Sequence, residues 1–168
     1  SGCESDTMTE KRICRCMYYY MKKPEKCKEC KLKEKWNNVG TIEVIDYERP
    51  TEYVLKNVGG MDLIIKDREQ KYAVEVKPRN SKETLARMFA EILTYTIEMD
   101  EKVEEKNFKP AICFFEGSEQ MKQYMELKAE NNVHLERIEK HVKVYYFKTK
   151  KNPVVSNVID FEICKMKD

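Results

Sequence analysis

The stretch GMDLIIKDREQKYAVEVK, residues 60–77, decides the fold of this chain. Two short runs rich in β-branched and aromatic residues, 61–66 and 72–77, flank a polar turn, which is the pattern of two strands joined in a hairpin. Successive side chains of a strand point to opposite faces. Glu75 and Lys77 are therefore expected on one face, and Tyr72, Val74 and Val76 on the other. The stretch therefore predicts a charged pair on a strand that is otherwise apolar.

Outward from this hairpin the chain continues as strands and helices. Apolar residues recur at i, i+3, i+4 and i+7 across residues 81–99, which predicts a helix with one face towards the core and Asn80 or Ser81 as its cap. Ser118 is the expected cap of a second helix that ends near residue 131, with Met121, Tyr124 and Met125 on its inner side. Further strands are predicted over 41–46, 52–58, 111–116, 142–147 and 158–163, and 133–138 stays open between helix and strand. The order predicts an α/β fold with a mixed central sheet flanked by helices.

The composition fits one compact domain with a charged surface. The chain has 168 residues, of which 37% are charged and 41% hydrophobic, with only five glycines and five prolines. Its longest apolar runs are too short to span a bilayer, and its first residues lack the apolar stretch of a signal peptide. We therefore expect a cytoplasmic protein with no membrane partner.

Hairpin pairing across the polar turn is expected to bring Asp62 and Glu75 together. Two carboxylates that converge repel each other unless a cation lies between them, and Mg²⁺ or Mn²⁺ is a natural choice. Such an ion supplies what phosphodiester hydrolysis needs: an activated water and a counter-charge for the transition state. Asp62 and Glu75 are thus candidate metal ligands, with the Val76 carbonyl as a further one. Lys77 is the candidate that orients or deprotonates the attacking water.

These residues resemble the PD-(D/E)xK nuclease superfamily. Gly60-Met61-Asp62, followed after a strand and turn by Glu75-Val76-Lys77, is similar to the Asp and Glu-x-Lys signature of that superfamily. The resemblance covers residues 40–150 and implies a restriction-endonuclease-like core and cleavage of a nucleic acid. The alternative is that Glu75 and Lys77 form an ordinary salt bridge on the protein surface.

The helix after Lys77 resembles the RecB-like branch of the superfamily. Glu91-Ile92-Leu93-Thr94-Tyr95 is similar to its Gln-x-x-x-Tyr element, which implies that Glu91 and Tyr95 belong to the catalytic site. Glu91 stands where the branch has Gln, and Met61 stands where Pro is frequent. The additional acidic residue that the family carries on its first helix has two candidates here, Glu29 and Glu34.

Four of the seven cysteines lie close together, as Cys14-x-Cys16 and Cys27-x-x-Cys30. Two close pairs at this separation are able to wrap a tetrahedral Zn²⁺ with four thiolates. An iron–sulfur cluster and unligated thiols are the alternatives, because ligand spacing alone does not settle the metal. We expect a zinc site in an N-terminal Cys-rich segment, residues 1–36, ahead of a nuclease-like domain, residues 37–168.

That N-terminal segment is also basic. From Lys11 to Lys35 it holds ten Lys and Arg residues against three Glu, a local balance of 10 − 3 = +7, whereas the whole chain carries only +2. Such a segment is suited to contact phosphates, although a solvated lysine-rich surface has the same composition. The sequence thus predicts a Mg²⁺-dependent deoxyribonuclease. The alternative is a non-catalytic nucleic-acid-binding module with a structural zinc.

Overall fold

The computed structural model describes residues 9–27, 34–38, 42–49, 61–102, 108–151 and 159–167. Within them the helices are α1 (Glu10–Lys22), α2 (Leu85–Lys102), α3 (Glu119–Ala129) and α4 (Val133–Glu139), with a short 3-10 helix at Pro24–Cys27. The strands are β1 (Glu34–Asn38), β2 (Ile42–Arg49), β3 (Met61–Asp67), β4 (Gln70–Val76), β5 (Phe108–Phe115), β6 (Lys143–Lys151) and β7 (Ile159–Lys165). The predicted strand over 52–58 lies outside the described residues.

The described strands form one mixed sheet in the order β1-β7-β6-β5-β4-β3-β2. β2, β3 and β4 are antiparallel neighbours, and the turn between β3 and β4 makes the predicted hairpin. β4, β5 and β6 run parallel, since a helical crossover precedes both β5 and β6. β7 returns antiparallel to β6 and pairs in parallel with β1. The α/β class and the mixed sheet flanked by helices are therefore confirmed.

Each face of the sheet has its own hydrophobic core. On one face, Ile13, Cys14 and Met17 of α1 pack against apolar side chains of six strands. On the other face, α2 lays Leu85, Met88, Phe89 and Ile92 on the sheet, and α3 and α4 complete the layer with Tyr124 and Leu135. Residues 10–22, although they fall within the predicted N-terminal segment, thus contribute to the same core as the sheet.

Two details of the helices differ from the sequence prediction. α2 begins at Leu85 and not at residue 81, because the Thr84 hydroxyl accepts a hydrogen bond from the Arg87 N–H and acts as its cap. On α3, Ser118 is the cap as predicted, with its hydroxyl 3.2 Å from the Met121 nitrogen. Of the three predicted inner residues, Tyr124 is buried and Met121 packs against the core, but Met125 is half exposed, and Gln120 is buried although it was not predicted to be.

No helix within the described ranges is both long enough and apolar enough to cross a membrane.

Candidate active site

The β3–β4 hairpin brings Asp62 next to the end of β4. Leu63 pairs with Val74, so Asp62 at the start of β3 lies beside the last residues of β4. Its Oδ2 accepts a hydrogen bond from the Val76 N–H at 2.9 Å. The same backbone region is tied to β5, where the Cys113 carbonyl accepts from the Lys77 N–H. A main-chain hydrogen bond thereby holds the Asp62 carboxylate beside the end of β4.

Glu75 and Lys77 share a face of β4, as predicted, and both are buried. Glu75 is 4% exposed and Lys77 is 6% exposed. The Lys77 ammonium lies 3.0 Å from Glu75 Oε1. The prediction of a shared face is confirmed. Because both side chains are buried, the alternative of an ordinary surface salt bridge does not describe this pair.

Lys77 Nζ is the centre of a cluster of carboxylates, which we call the Lys77 cluster. Within the described residues, four carboxylates lie within 4 Å of this ammonium. They are Glu83 at 2.7 Å, Glu75 at 3.0 Å, Glu10 at 3.3 Å and Glu91 at 3.4 Å. They come from the loop after β4, from β4 itself, from α1 and from α2, so the tertiary fold and not one motif assembles the site.

The stripe on α2 that the sequence singled out reaches this cluster. Glu91 Oε1 accepts a hydrogen bond from Arg87 Nε at 3.1 Å, while its Oε2 faces Lys77. Tyr95 is half-buried one turn further along. Burial, and then the charges of Glu75 and Glu91, raise the pKa of the Tyr95 hydroxyl. The structure thus gathers Asp62, Glu75, Lys77, Glu91 and Tyr95 in one region.

Two carboxylates of the cluster, Glu10 and Glu83, were not predicted from the sequence. Glu10 is the first residue of α1, whose Thr9 cap accepts from the Arg12 N–H. It is the carboxylate of the first helix that reaches the site. Of the two expected candidates, Glu34 lies in β1 and not on a helix, and Glu29 lies outside the described residues. A Thr-Glu cap ahead of an apolar run was the available signal for Glu10.

Burial and mutual repulsion control the charges of the acidic pair. Burial raises the pKa of Asp62, although the Val76 N–H opposes the rise. Burial, the charge of Asp62 and a hydrogen bond to Glu91 raise the pKa of Glu75. For Glu91, burial is outweighed by hydrogen bonds from Glu75 and Arg87, which lower its pKa. These shifts favour the protonated form of Glu75 and the ionised form of Glu91.

Lys77 keeps its charge in this environment. Burial lowers the pKa of its ammonium, but the contact with Glu83 and the charge of Glu75 outweigh burial and raise the pKa overall. A lysine held in this state is a hydrogen-bond donor and a fixed positive charge. It is not a base at neutral pH, because a base must first lose its proton.

The described residues contain no group of three or more His, Cys, Asp or Glu side chains arranged to hold a metal ion. Cys14 and Cys16 are buried on α1, where residues two apart do not face each other, and Cys27 ends the 3-10 helix. Cys30 lies outside the described residues. The predicted four-thiolate zinc site thus stays a prediction, while Cys113 is buried in β5.

No model of a known protein family matches the chain. Searches of curated proteins and of solved structures likewise found no significant match.

Proposed function

We propose that this chain is a metal-dependent nuclease of the RecB-like branch of the PD-(D/E)xK superfamily, with a restriction-endonuclease-like core, that hydrolyses DNA phosphodiester bonds. The observation that carries the proposal is the convergence of Asp62, Glu75 and Lys77 at one end of the β3–β4 hairpin, with Glu91 added from α2. In chain order, α1 and β1 are followed by the three antiparallel strands β2, β3 and β4, by α2 and by the parallel strand β5. The site lies at the carboxyl end of β4, where open α/β sheets commonly bind their ligands, and this position supports the proposal.

The donor set suits Mg²⁺ or Mn²⁺. Asp62 and Glu75 offer only oxygen ligands, and Mg²⁺ is commonly held by one or two carboxylates together with water and substrate phosphates. Burial is the main cause of the raised pKa values of both carboxyls, and a divalent cation between them would favour their charged forms. Asp62 and Glu75 would hold the ion, with the Val76 carbonyl as a further ligand. The ion would polarise the phosphodiester and activate water.

The chain's own groups then have defined tasks. Lys77, as a fixed ammonium, orients the attacking water by donating a hydrogen bond to it, and it offsets the negative charge that grows on the phosphate. Glu91, ionised and held by Arg87, faces the Lys77 ammonium and helps to keep it charged. Tyr95 lies near Glu75 and Glu91 on the α2 side of the site. Each of these residues thus has its own role in the proposed reaction.

Incubation of the purified protein with circular and linear DNA in the presence of Mg²⁺, Mn²⁺ or a chelator tests the proposal. We expect cleavage with either cation and none with the chelator. Asp62→Asn keeps the hydrogen bond from the Val76 N–H and removes only the charge, so it should abolish cleavage with the fold intact. Binding of DNA without cleavage by the unmodified protein under every condition would instead favour the non-catalytic binding module.

A further inference from the structure

The loop between β4 and α2 is held in place by two glutamines of α3. Gln120 Nε2 donates hydrogen bonds to the Ser81 carbonyl at 3.0 Å and to the Glu83 carbonyl at 2.6 Å. One turn further along, Gln123 Oε1 accepts from the Leu85 N–H at 2.8 Å. This loop follows Lys77 directly, so α3 fixes the path of the chain as it leaves the site.

Gln120 is an unusual residue for the position it occupies. Its side chain is fully buried, and within the described structure its Oε1 accepts no hydrogen bond. Burial of a half-satisfied amide costs free energy that an apolar residue of similar size would not. The amide does, however, supply both hydrogen bonds to the loop, which Leu or Met cannot. Its place in the interior is thus explained by the loop that it holds.

Glu83 is the acidic residue in that loop. Its N–H donates to the Ser81 hydroxyl at 3.2 Å, and its carbonyl accepts from Gln120, so its backbone is fixed on both sides. Its Oε2 makes the shortest contact of the Lys77 cluster, 2.7 Å to the ammonium. Arg87 Nε lies 3.7 Å from its other oxygen.

We propose that Glu83 is a positioning residue of the site: Gln120 fixes Glu83, and Glu83 holds the Lys77 ammonium beside Glu75. Its catalytic part rests on the proposed nuclease function. Glu75 is assigned to the metal, and it cannot serve fully as the partner of Lys77 at the same time. Glu83 contacts Lys77 more closely than Glu10 or Glu91 does, and its loop is fixed by α3. It would therefore keep Lys77 in place while Glu75 binds a cation.

Kinetics of the full chain with linear DNA and Mg²⁺ test the catalytic part. Glu83→Gln should lower kcat about ten- to a hundredfold with KM unchanged, because a misplaced Lys77 affects the transition state and not DNA binding. We expect this variant to fold, since a third of the Glu83 side chain is exposed and Gln has nearly the same shape as Glu. Glu83→Asp, which keeps the charge on a shorter arm, should recover part of the loss. The exposed Glu69→Gln is the matched control and should leave kcat unchanged.

The link through Gln120 has its own test. Gln120→Met removes the two hydrogen bonds to the loop and should lower kcat in the same direction. If Gln120 acts through Glu83, the double variant should be no slower than Glu83→Gln alone. Losses that multiply, or an unchanged kcat in Glu83→Gln while the unmodified protein cuts DNA, would overturn the proposal.

A readout without catalysis separates this proposal from the nuclease function. The Lys77 ammonium signal in ¹⁵N NMR spectra of the metal-free protein should shift in Glu83→Gln and in Gln120→Met, but not in Glu69→Gln. A protein that cuts no DNA but shows these shifts would refute the nuclease and retain the positioning of Lys77. An unchanged Lys77 signal in Glu83→Gln would refute the positioning, whatever the activity.

Discussion

The two faces of β4 differ in the kind of side chain that they bury, although one short strand forms both. On one face, Tyr72, Val74 and Val76 are buried among apolar neighbours that include α1. On the other face, Ala73 packs under α2, but the next two positions are Glu75 and, directly after the strand, Lys77, and both are buried. One face is therefore satisfied by hydrophobic contact, and the other needs an assembled set of ionic partners.

This difference separates what specifies the fold from what forms the site. Apolar burial stabilises by about 25 cal/mol per Å², whereas burial of a charge is costly unless it is paired. The carboxylates that contact Lys77 at the end of β4 come from three other elements, which are α1, α2 and the loop between β4 and α2. A hydrophobic pair at positions 75 and 77 would close the same core more simply. The charged face is thus expected to matter for chemistry and the apolar face for stability.

Matched substitutions on the two faces should give opposite results. Glu75→Gln should lower cleavage at least about a thousandfold, because it removes the charge that binds the cation. Its melting temperature should change little, since Gln resembles the protonated Glu75 of the metal-free protein. Val74→Ala should leave kcat nearly intact and cost about 2 kcal/mol, or about 5 °C in melting temperature.

Cleavage rate and thermal melting are measured side by side for both variants. Cleavage that survives in Glu75→Gln, or a loss of activity explained by unfolding of that variant, would remove the charged face from catalysis.

The hairpin was predictable because its information is local. Alternation over residues 61–77 and the turn between the strands were enough to place Glu75 and Lys77 on one face and Asp62 beside them. The core stripe of α2 was equally clear, and Leu85, Met88, Phe89 and Ile92 are all buried. Helical and strand periodicity show which side chains face the core, and this pattern can be read from residues that are close together in the sequence.

The remainder of the site depends on distant contacts. Glu10 and Lys77 are 67 residues apart in the chain, and no periodic pattern links them. Gln120 was not predicted because a polar helix residue is expected to be exposed, and Met125 was placed on the inner side of α3 together with Met121 and Tyr124. Glu83 belongs to a loop that was assigned to a helix. In each case a tertiary hydrogen bond or ion pair outweighs the local signal.

Two of the four clustered cysteines lie on α1, which packs on the apolar face of the sheet. We predict about one zinc per chain, bound by Cys14, Cys16, Cys27 and Cys30, because clustered thiolates bind this ion tightly. Removal of the metal should lower the melting temperature by several degrees, with no change in cleavage below the new transition. Elemental analysis without zinc, or iron with the absorbance of an iron–sulfur cluster, would contradict this assignment.

The charged side should show itself in the pH dependence of stability. Asp62 and Glu75 have raised pKa values in the folded state, so the folded protein retains protons that the unfolded chain releases. Their contribution is complete below about pH 4, the ordinary carboxyl pKa, and is lost as the pH rises through the raised values. With chelator present, the melting temperature should therefore fall from pH 5 to pH 9. In Glu75→Gln the fall should be smaller, and Mg²⁺ should offset it in the unmodified protein.

A steeper fall in Glu75→Gln than in the unmodified protein would show that other groups control this dependence.

We expect the smallest effect on the affinity for DNA. The structure indicates which cations of the basic segment are exposed and can contact DNA phosphates. Arg12 is buried and Lys22 is paired with Glu43, so these two cations are already used within the fold. Lys11, Lys23 and Lys26 are exposed on or after α1. Replacement of these three by Gln should reduce the slope of log affinity against log salt by about 0.7 to 0.9 for each DNA phosphate that the protein no longer neutralises.

The matched control replaces three exposed lysines near the opposite end of the parallel strands, Lys71, Lys109 and Lys140. Both triple variants carry the same change in net charge, so a general electrostatic effect would lower the affinity of both. A weaker affinity confined to the α1 set would place DNA over α1, whose Glu10 reaches the Lys77 cluster. Equal slopes in the two variants would return the basic segment to ordinary solvated surface. The charged end of β4 would then have to hold its substrate through the cation and Lys77 alone.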